Sequence, residues 1–244
     1  MTETPSIRLF VDSALEAGAA VQLDRGQSHY LVNVMRQPQG AGLLLFNGRD
    51  GEWLCEIAAA DKKATVITVM SRTREQDAEP DVWLAFAPLK KDRTDFLIEK
   101  ATELGVRRLL PVTTQHTQSA RLRTDRLHAT AIEAAEQSRR LSVPAIAEPA
   151  SLDRVLADWP AGRRLVYLDE TGTGAPLAAV LAEGHDALGF LIGPEGGFSR
   201  AELDALRNLT FSVAADLGPR ILRAETAATA ALAIRQSIAD LNRN

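Results

Sequence analysis

The chain has 244 residues, 45% of them hydrophobic, and a formal net charge of −4. That supplies enough apolar content for one large core or two small ones, while no apolar run reaches membrane-spanning length. The opening MTETPSIRLF lacks the basic-then-apolar layout of a secretory signal, and a single cysteine, Cys55, excludes an internal disulfide and fits a reducing cytoplasm.

An acidic balance argues against a uniformly basic nucleic-acid binder, but the charge is unevenly spread. Residues 90–140 carry 11 basic and 7 acidic side chains, against 7 and 8 in 1–73, 1 and 4 in 74–89, and 9 and 13 in 141–244. The positive excess is confined to the segment holding Lys90, Lys91, Arg93, Arg121, Arg123, Arg126, Arg139 and Arg140. Contact with a nucleic-acid backbone needs only a local basic face, and this segment is the candidate. A solvated helix face is the plainer alternative.

In chain order, residues 1–73 alternate short apolar runs with turn signals: IRLFV, HYLVNVMR, LLLFNG, GEWLCEIAAA and KKATVITVM. The spacing predicts a small β-rich domain with a short helix over His29–Arg36, and Cys55 within EWLCEI reads as core. Arg8, Arg36 and Arg49 are candidates for RNA phosphate contact, against the commoner reading as scattered surface arginines. SRTREQDAEPD, Ser71 to Asp81, has no large apolar residue and reads as a linker, dividing the chain into 1–73, 74–81 and 82–244.

Beyond the linker the grammar changes. VWLAFAPL (Val82–Leu89) is the near-continuous apolar run of a strand buried on both faces. A helix follows with Phe96, Leu97, Ile98, Ala101 and Leu104 on its inner side and Gly105 at its end. Then come the strand RRLLPVTT, a helix from about Asp125 to Leu141, a short helix after Ser151 and the strand RRLVYLDE. A helix after Pro176, the strand ALGFLIG, a helix capped by Ser199, the strand FSVAADL and a long Ala-rich helix complete the order. This alternation predicts an α/β fold, a mostly parallel sheet with helices on both faces.

Two strand ends stand out. LIGPEGGFSRAEL, Leu191 to Leu203, passes from a buried strand through a Gly-Pro-Glu-Gly-Gly turn into a helix whose Ser199 and Glu202 form a capping box. LGPRILRAETAATAALAI, Leu217 to Ile234, repeats the pattern of strand, Gly-Pro and helix. Turns at the carboxyl ends of buried strands are where open α/β sheets bind ligands, although an ordinary tight connection has the same composition. Thr171-Gly172-Thr173-Gly174, after LVYLDE, is a third such loop. Nothing fits a GxGxxG fingerprint after a strand, a phosphate-binding loop or a GxSxG elbow. His29, His116, His128 and His185 lie too far apart for metal-ligand spacing.

GPEGGFS…E followed by LG-R-ILR-ETA resembles the SPOUT methyltransferases of the small-subunit ribosomal RNA uridine-N3 type. KKDRTDFLIEKATELGV (Lys90–Val106) and EAAEQSRRLSVP (Glu133–Pro144) match two further signatures of that family, and HYLVNVMR with LLLFNGRDGEWLCEI resembles its amino-terminal domain. The resemblance implies a PUA-like RNA-binding barrel over 1–73, a SPOUT domain over 82–244 with a C-terminal trefoil knot, and a cytoplasmic homodimer paired through the last helix. It also implies S-adenosylmethionine as methyl donor, held by Leu168, by Gly193, Gly196 and Gly197 of one loop, and by Leu217, Gly218, Arg220, Ile221 and Leu222 of the other. The expected acceptor is N3 of a uridine in ribosomal RNA of the small subunit. Arg223, Arg220 and Arg139 are candidates to stabilise its anion, with Glu225 as base or positioning partner. Arg223 and Glu225 could equally form a local ion pair, and Arg139 could bind phosphate. RNA contact is expected at Arg8, Arg36, Lys90, Lys91, Arg93, Arg121, Arg123 and Arg139. A SPOUT enzyme acting on ribose 2′-OH or on a transfer RNA guanine, and a non-catalytic ribosome assembly factor, remain alternatives.

Overall fold

Period-two alternation in LCEI and VITV, beside the apolar run LLLF, decides the first sheet. Its strands are β1 (Arg8–Phe10), β2 (Ala20–Gln22), β3 (Gly42–Phe46), β4 (Glu52–Ala59) and β5 (Val66–Arg74), in the order β1-β3-β4-β5-β2. β1 runs parallel to β3, and the other pairs are antiparallel. Leu9, Leu43, Leu45, Cys55, Ile57, Ile67 and Val69 share the enclosed core. Cys55 is core as expected, and burial pushes its thiol up to about 12. The computed structural model describes residues 5–118, 122–169, 171–184 and 187–241.

Two expectations shift here. The helix expected over His29–Arg36 begins earlier, as α1 (Arg25–His29) with an Asp24/Gln27 capping box, and continues as one π-helical turn over Tyr30–Val34. Ser71–Arg74, expected as the start of a linker, is the end of β5, paired with Glu52–Leu54 of β4.

The chain separates into two compact units, and the separation is not collinear: the first takes residues through Ala78 together with the returning segment Ala135–Val143. The second unit opens with β6 (Val82–Phe86), α2 (Lys91–Glu103), β7 (Arg108–Thr113) and the body of α3 (Thr124–Gln137). β8 (Ala145–Ile146), β9 (Ala150–Ser151), α4 (Leu152–Ala157), β10 (Arg164–Leu168), β11 (Ala175–Pro176) and α5 (Leu177–Ala182) follow. β12 (Leu188–Ile192), α6 (Arg200–Arg207), β13 (Ser212–Asp216) and α7 (Ala224–Leu241) complete it. The strand order is β11-β13-β10-β12-β6-β7-β8, with β9 added beside β7, and every pair is parallel.

Helices cover both faces of this sheet. Leu152 of α4 and Leu206 of α6 pack with Ala85, Leu110, Val112, Leu165, Tyr167 and Leu191 on one side. α7 packs on β12 between α2 and α5 on the other. Along α2, Leu97, Ile98 and Ala101 are buried and Gly105 follows its last turn as expected, but Phe96, expected inside, is 43% exposed.

In the first unit β3 is buried on both faces, which is why GLLLF does not alternate with polar residues. Its second face meets the returning segment: Phe46 packs with Ala135 and Leu141, and Phe10 and Val143 close the edge. Arg8 lies at the centre of this layer. Its Nε donates to Glu52, Nη1 donates to the carbonyls of Ala135 (2.8 Å) and Glu136 (3.2 Å), Nη2 donates to the carbonyl of Arg140 (2.6 Å), and the guanidinium stacks 4.0 Å from the Phe46 ring centroid. Two of these carbonyls belong to the last turn of α3, where backbone acceptors have no helical partner. Arg139, with φ of 60°, turns the chain out of the helix. Arg8 was expected to meet RNA phosphate. It is 8% exposed with its donors committed internally, so its role is structural.

Removing one partner of a buried ion pair leaves the other charge uncompensated, at a cost of about 3–5 kcal/mol. Arg8→Met should lower the denaturant midpoint of the first unit accordingly, and Arg8→Lys should recover only part, having no planar fork for the four acceptors. Equilibrium unfolding monitored by Trp53 checks this. A wild-type midpoint for Arg8→Met would refute the assigned role.

Candidate active site

Parallel pairing brings three strand ends level. Tyr167 of β10 is opposite Leu191 of β12, and Leu168 is opposite Ala215 of β13. The loops leaving these strands enclose a cavity of ≈ 540 Å³, within the range of small-molecule sites. Leu168, Asp169, Thr171 and Gly172 line it from the first loop, residues from Ile192 to Glu195 with Gly197 and Phe198 from the second, and residues from Ala215 to Ala224 from the third. The lining is mainly aliphatic side chain and backbone, with a few charged groups. It suits a flat apolar ring with polar edges rather than a polyanion.

The sequence assigned most of this wall. Leu168, Gly193, Gly197, Leu217, Gly218, Arg220, Ile221 and Leu222 all line the cavity. Gly197 sits at φ 68°, where a side chain would be strained. Gly196 is not among the lining residues: a Cβ there would point at His116, 3.3 Å away, and His116 Nδ1 lies 3.1 Å from the carbonyls of Gly196 and Gly197. The capping box at Ser199 and Glu202 forms as expected, and Glu202 also accepts from the Gln115 amide at 2.8 Å.

Arg223 stands on the wall immediately before α7, exposed, and its guanidinium has no partner among the described residues. It is therefore available to an anion, beside the positive end of an 18-residue helix. Glu225 is differently placed. It is 8% exposed, lies off the wall, and pairs with Arg93 at 3.7 Å rather than with Arg223. Arg139 falls in the segment that belongs with the first unit, its carbonyl accepting from Arg74 at 2.8 Å.

Two features were missed. Asp169, directly after β10, is 4% exposed and lines the cavity. Burial pushes its pKa up, but the donors Thr171 and Thr173, with Arg207 at 3.6 Å, outweigh this and hold the carboxyl below its usual range. Its sequence signal was an acid at a strand end before Thr-Gly-Thr-Gly. Second, much of the basic segment is already paired: Arg126 with Asp95, Arg123 with Asp125, and Arg93 with Glu195 and Glu225. Lys90, Lys91 and Arg36 are exposed, and Arg121 and His185 lie outside the described residues. Among the described residues no group of acids, histidines or cysteines could hold a metal ion, and no helix is long and apolar enough to cross a membrane.

The chain is similar to known proteins over nearly its full length. An RNA methyltransferase domain family matches residues 76–236, and an RNA methyltransferase PUA domain family matches residues 23–70. The ribosomal RNA small subunit methyltransferase E of Rickettsia conorii is 31% identical over 93% of each chain. That of Bacillus subtilis is 30% identical over 89% of this chain and 90% of its own. Among solved structures, the Neisseria gonorrhoeae ribosomal RNA small subunit methyltransferase E bound to S-adenosyl methionine superposes with a TM-score of 0.87 at 26% identity, covering 95% of this chain and 97% of that one. A putative methyltransferase from Legionella pneumophila with bound cofactor SAM gives 0.85 at 27%, covering 97% and 98%. With its SPOUT-type parallel sheet and these matches from end to end, the chain belongs to the ribosomal RNA small subunit methyltransferase E family.

Proposed function

We propose that this protein transfers a methyl group from S-adenosylmethionine to N3 of a uridine in small-subunit ribosomal RNA. The observation that carries the reading is an unpartnered guanidinium, Arg223, on the wall of a small-molecule cavity built by two Gly-Pro loops, in a chain of this family. The donor would be held by Leu168, Gly193, Gly197, Leu217, Gly218, Ile221 and Leu222. When bound, it supplies a methyl on a sulfonium, already a strong electrophile, so the protein's part is to place the acceptor in line and exclude alternatives.

The acceptor nitrogen is a weak acid that reacts as its anion. Arg223 stabilises that anion by placing positive charge where negative charge develops, and the amino end of α7 adds to the same field. Glu225, committed to Arg93 and off the wall, serves as a support, and in this reading solvent takes the proton. Exposed Lys90, Lys91, Arg36 and Arg123 are the candidates to meet RNA phosphates, with the PUA-type unit as an RNA-holding module and Arg121 and Arg139 as further contacts. The reading sets the protein in the cytoplasm, where small subunits assemble, and makes it a homodimer. Support for the dimer comes from the half-buried Ile234 and Ile238 and the exposed Leu241 of α7, with Ile221 83% exposed nearby in sequence.

Cofactor binding is tested by calorimetry with purified protein. Wild type should bind S-adenosylmethionine without metal or nucleotide, and Gly197→Val should abolish the heat by filling space and by forcing a β-branched residue into positive φ. Absence of heat for the wild type would remove the cavity assignment. Arg223→Ala should keep cofactor binding and lose turnover by on the order of 10²–10³. Its rate should rise with pH, about tenfold per unit below the uridine ionisation, as more acceptor ionises in solution. Nucleoside mass spectrometry after single turnover reads both rate and position, and wild-type turnover by Arg223→Ala, or a methyl on ribose oxygen or guanine, would overturn the assignment. Sedimentation at micromolar concentration should give about twice the 26.4 kDa chain mass; a species of chain mass alone would refute the dimer.

A further inference from the structure

Arg93, the third residue of α2, faces two carboxylates, one on the cavity wall and one in the first turn of α7 behind it. Its Nη1 lies 3.3 Å from Glu195 Oε1, and its Nε lies 3.7 Å from Glu225 Oε1. Glu195 is in the Gly-Pro turn after β12 and lines the cavity. Glu225 is the second residue of α7, two positions beyond Arg223. It is 8% exposed, and its Oε2 has no hydrogen-bond partner. Among the described residues, the cation it pairs with is Arg93. A buried carboxylate without countercharge is costly, so the start of α7 is held where Arg93 can reach it.

We propose that Arg93 is a positioning residue for methyl transfer: its guanidinium ties the Gly-Pro turn after β12 to the first turn of α7 and keeps the two cavity walls at the spacing that admits the cofactor. The proposal rests on the cavity being the S-adenosylmethionine site. Arg93 touches neither donor nor acceptor. It acts by keeping the binding-competent loop arrangement populated, and cofactor affinity scales with that population. The bridge also makes Arg93 a weak candidate for phosphate contact, since a phosphate approaching it would meet two carboxylates. Arginine suits the place because its planar fork reaches two acceptors at once, which a lysine ammonium does less well.

Three measurements on Arg93→Gln and Arg93→Lys test this, with thermal unfolding to establish that both fold. By calorimetry, Arg93→Gln should bind S-adenosylmethionine about tenfold more weakly, as the competent fraction falls to about a tenth, with Arg93→Lys between it and wild type. Combining Arg93→Gln with Glu195→Gln should cost less than the sum of the separate changes, because both remove one contact. By hydrogen exchange without cofactor, amides of residues 193–199 and 224–228 should exchange faster in Arg93→Gln than in wild type. RNA affinity at saturating cofactor should be unchanged. Wild-type cofactor affinity and wild-type exchange in Arg93→Gln, or weakened RNA binding with unchanged cofactor affinity, would overturn the proposal. If wild type itself bound no cofactor while exchange still rose in Arg93→Gln, the tie would stand and the functional reading would fall.

Discussion

The site depends on the parallel hydrogen bonding of β10 to β12 on one side and to β13 on the other. Parallel strands point their carboxyl ends the same way, so three loops separated along the chain are delivered to one edge of the sheet. Leu168, Ile192 and Asp216 end their strands there, and all three line the cavity. The backbone register brings the three loops together at that edge. Gly174 shows how close the chains run: a Cβ there would come within 2.7 Å of the Ala215 backbone, so the first loop lies directly against β13.

That register also explains which parts of the fold were legible in the sequence. Strands buried on both faces, such as VWLAF and LGFLI, announce themselves as apolar runs, and the Ser199 and Ser151 caps announce the helices after them. Gly-Pro punctuation marks the loops, and the family resemblance names wall residues on them, such as Gly193, Gly197, Leu217 and Leu222. What local pattern cannot carry is pairing at a distance. Phe96 has the right helical phase and lies outside, and Ser71–Arg74 has the composition of a linker and is strand because β4 extends beside it. Net charge over a segment is equally blind to partners. Arg8 and Arg93 counted as available cations until Glu52, Glu195 and Glu225, from remote stretches, met them.

The loops around the cavity are also held by side chains from neighbouring elements. Arg207 of α6 braces Asp169 and Thr173 of the first loop. After β7, His116 braces the second loop at Gly196 and Gly197 and Gln115 braces the first turn of α6 at Glu202, and Arg93 braces the loop again at Glu195. A site that must approach two reactants with little covalent chemistry gains mainly from being rigid before they arrive. Such supports are spread over elements that never touch the reactants, which is why motif spacing named the wall and not its braces. Asp169 lies between the categories, a buried wall residue kept acidic chiefly by the Thr171 and Thr173 donors of its own loop, with Arg207 adding to them.

The returning segment of the first unit has a consequence for the order in which the molecule can be completed during synthesis. Arg8 finds an acceptor at Ala135, 127 positions later, and the outer face of β3 is covered by Leu141 and Val143. A nascent chain that has emerged only as far as Ala78 holds all five strands of the first sheet but exposes Phe46 and carries Arg8 without three of its acceptors. The first-made sheet thus waits for residues 135–143 before it can close, although the second unit, which needs strands and helices out to α7, is completed later still. Contacts of such long range are slow to form. During that interval the unfinished sheet presents an apolar face that chaperones can engage, and a fragment ending at the apparent boundary would carry that face permanently.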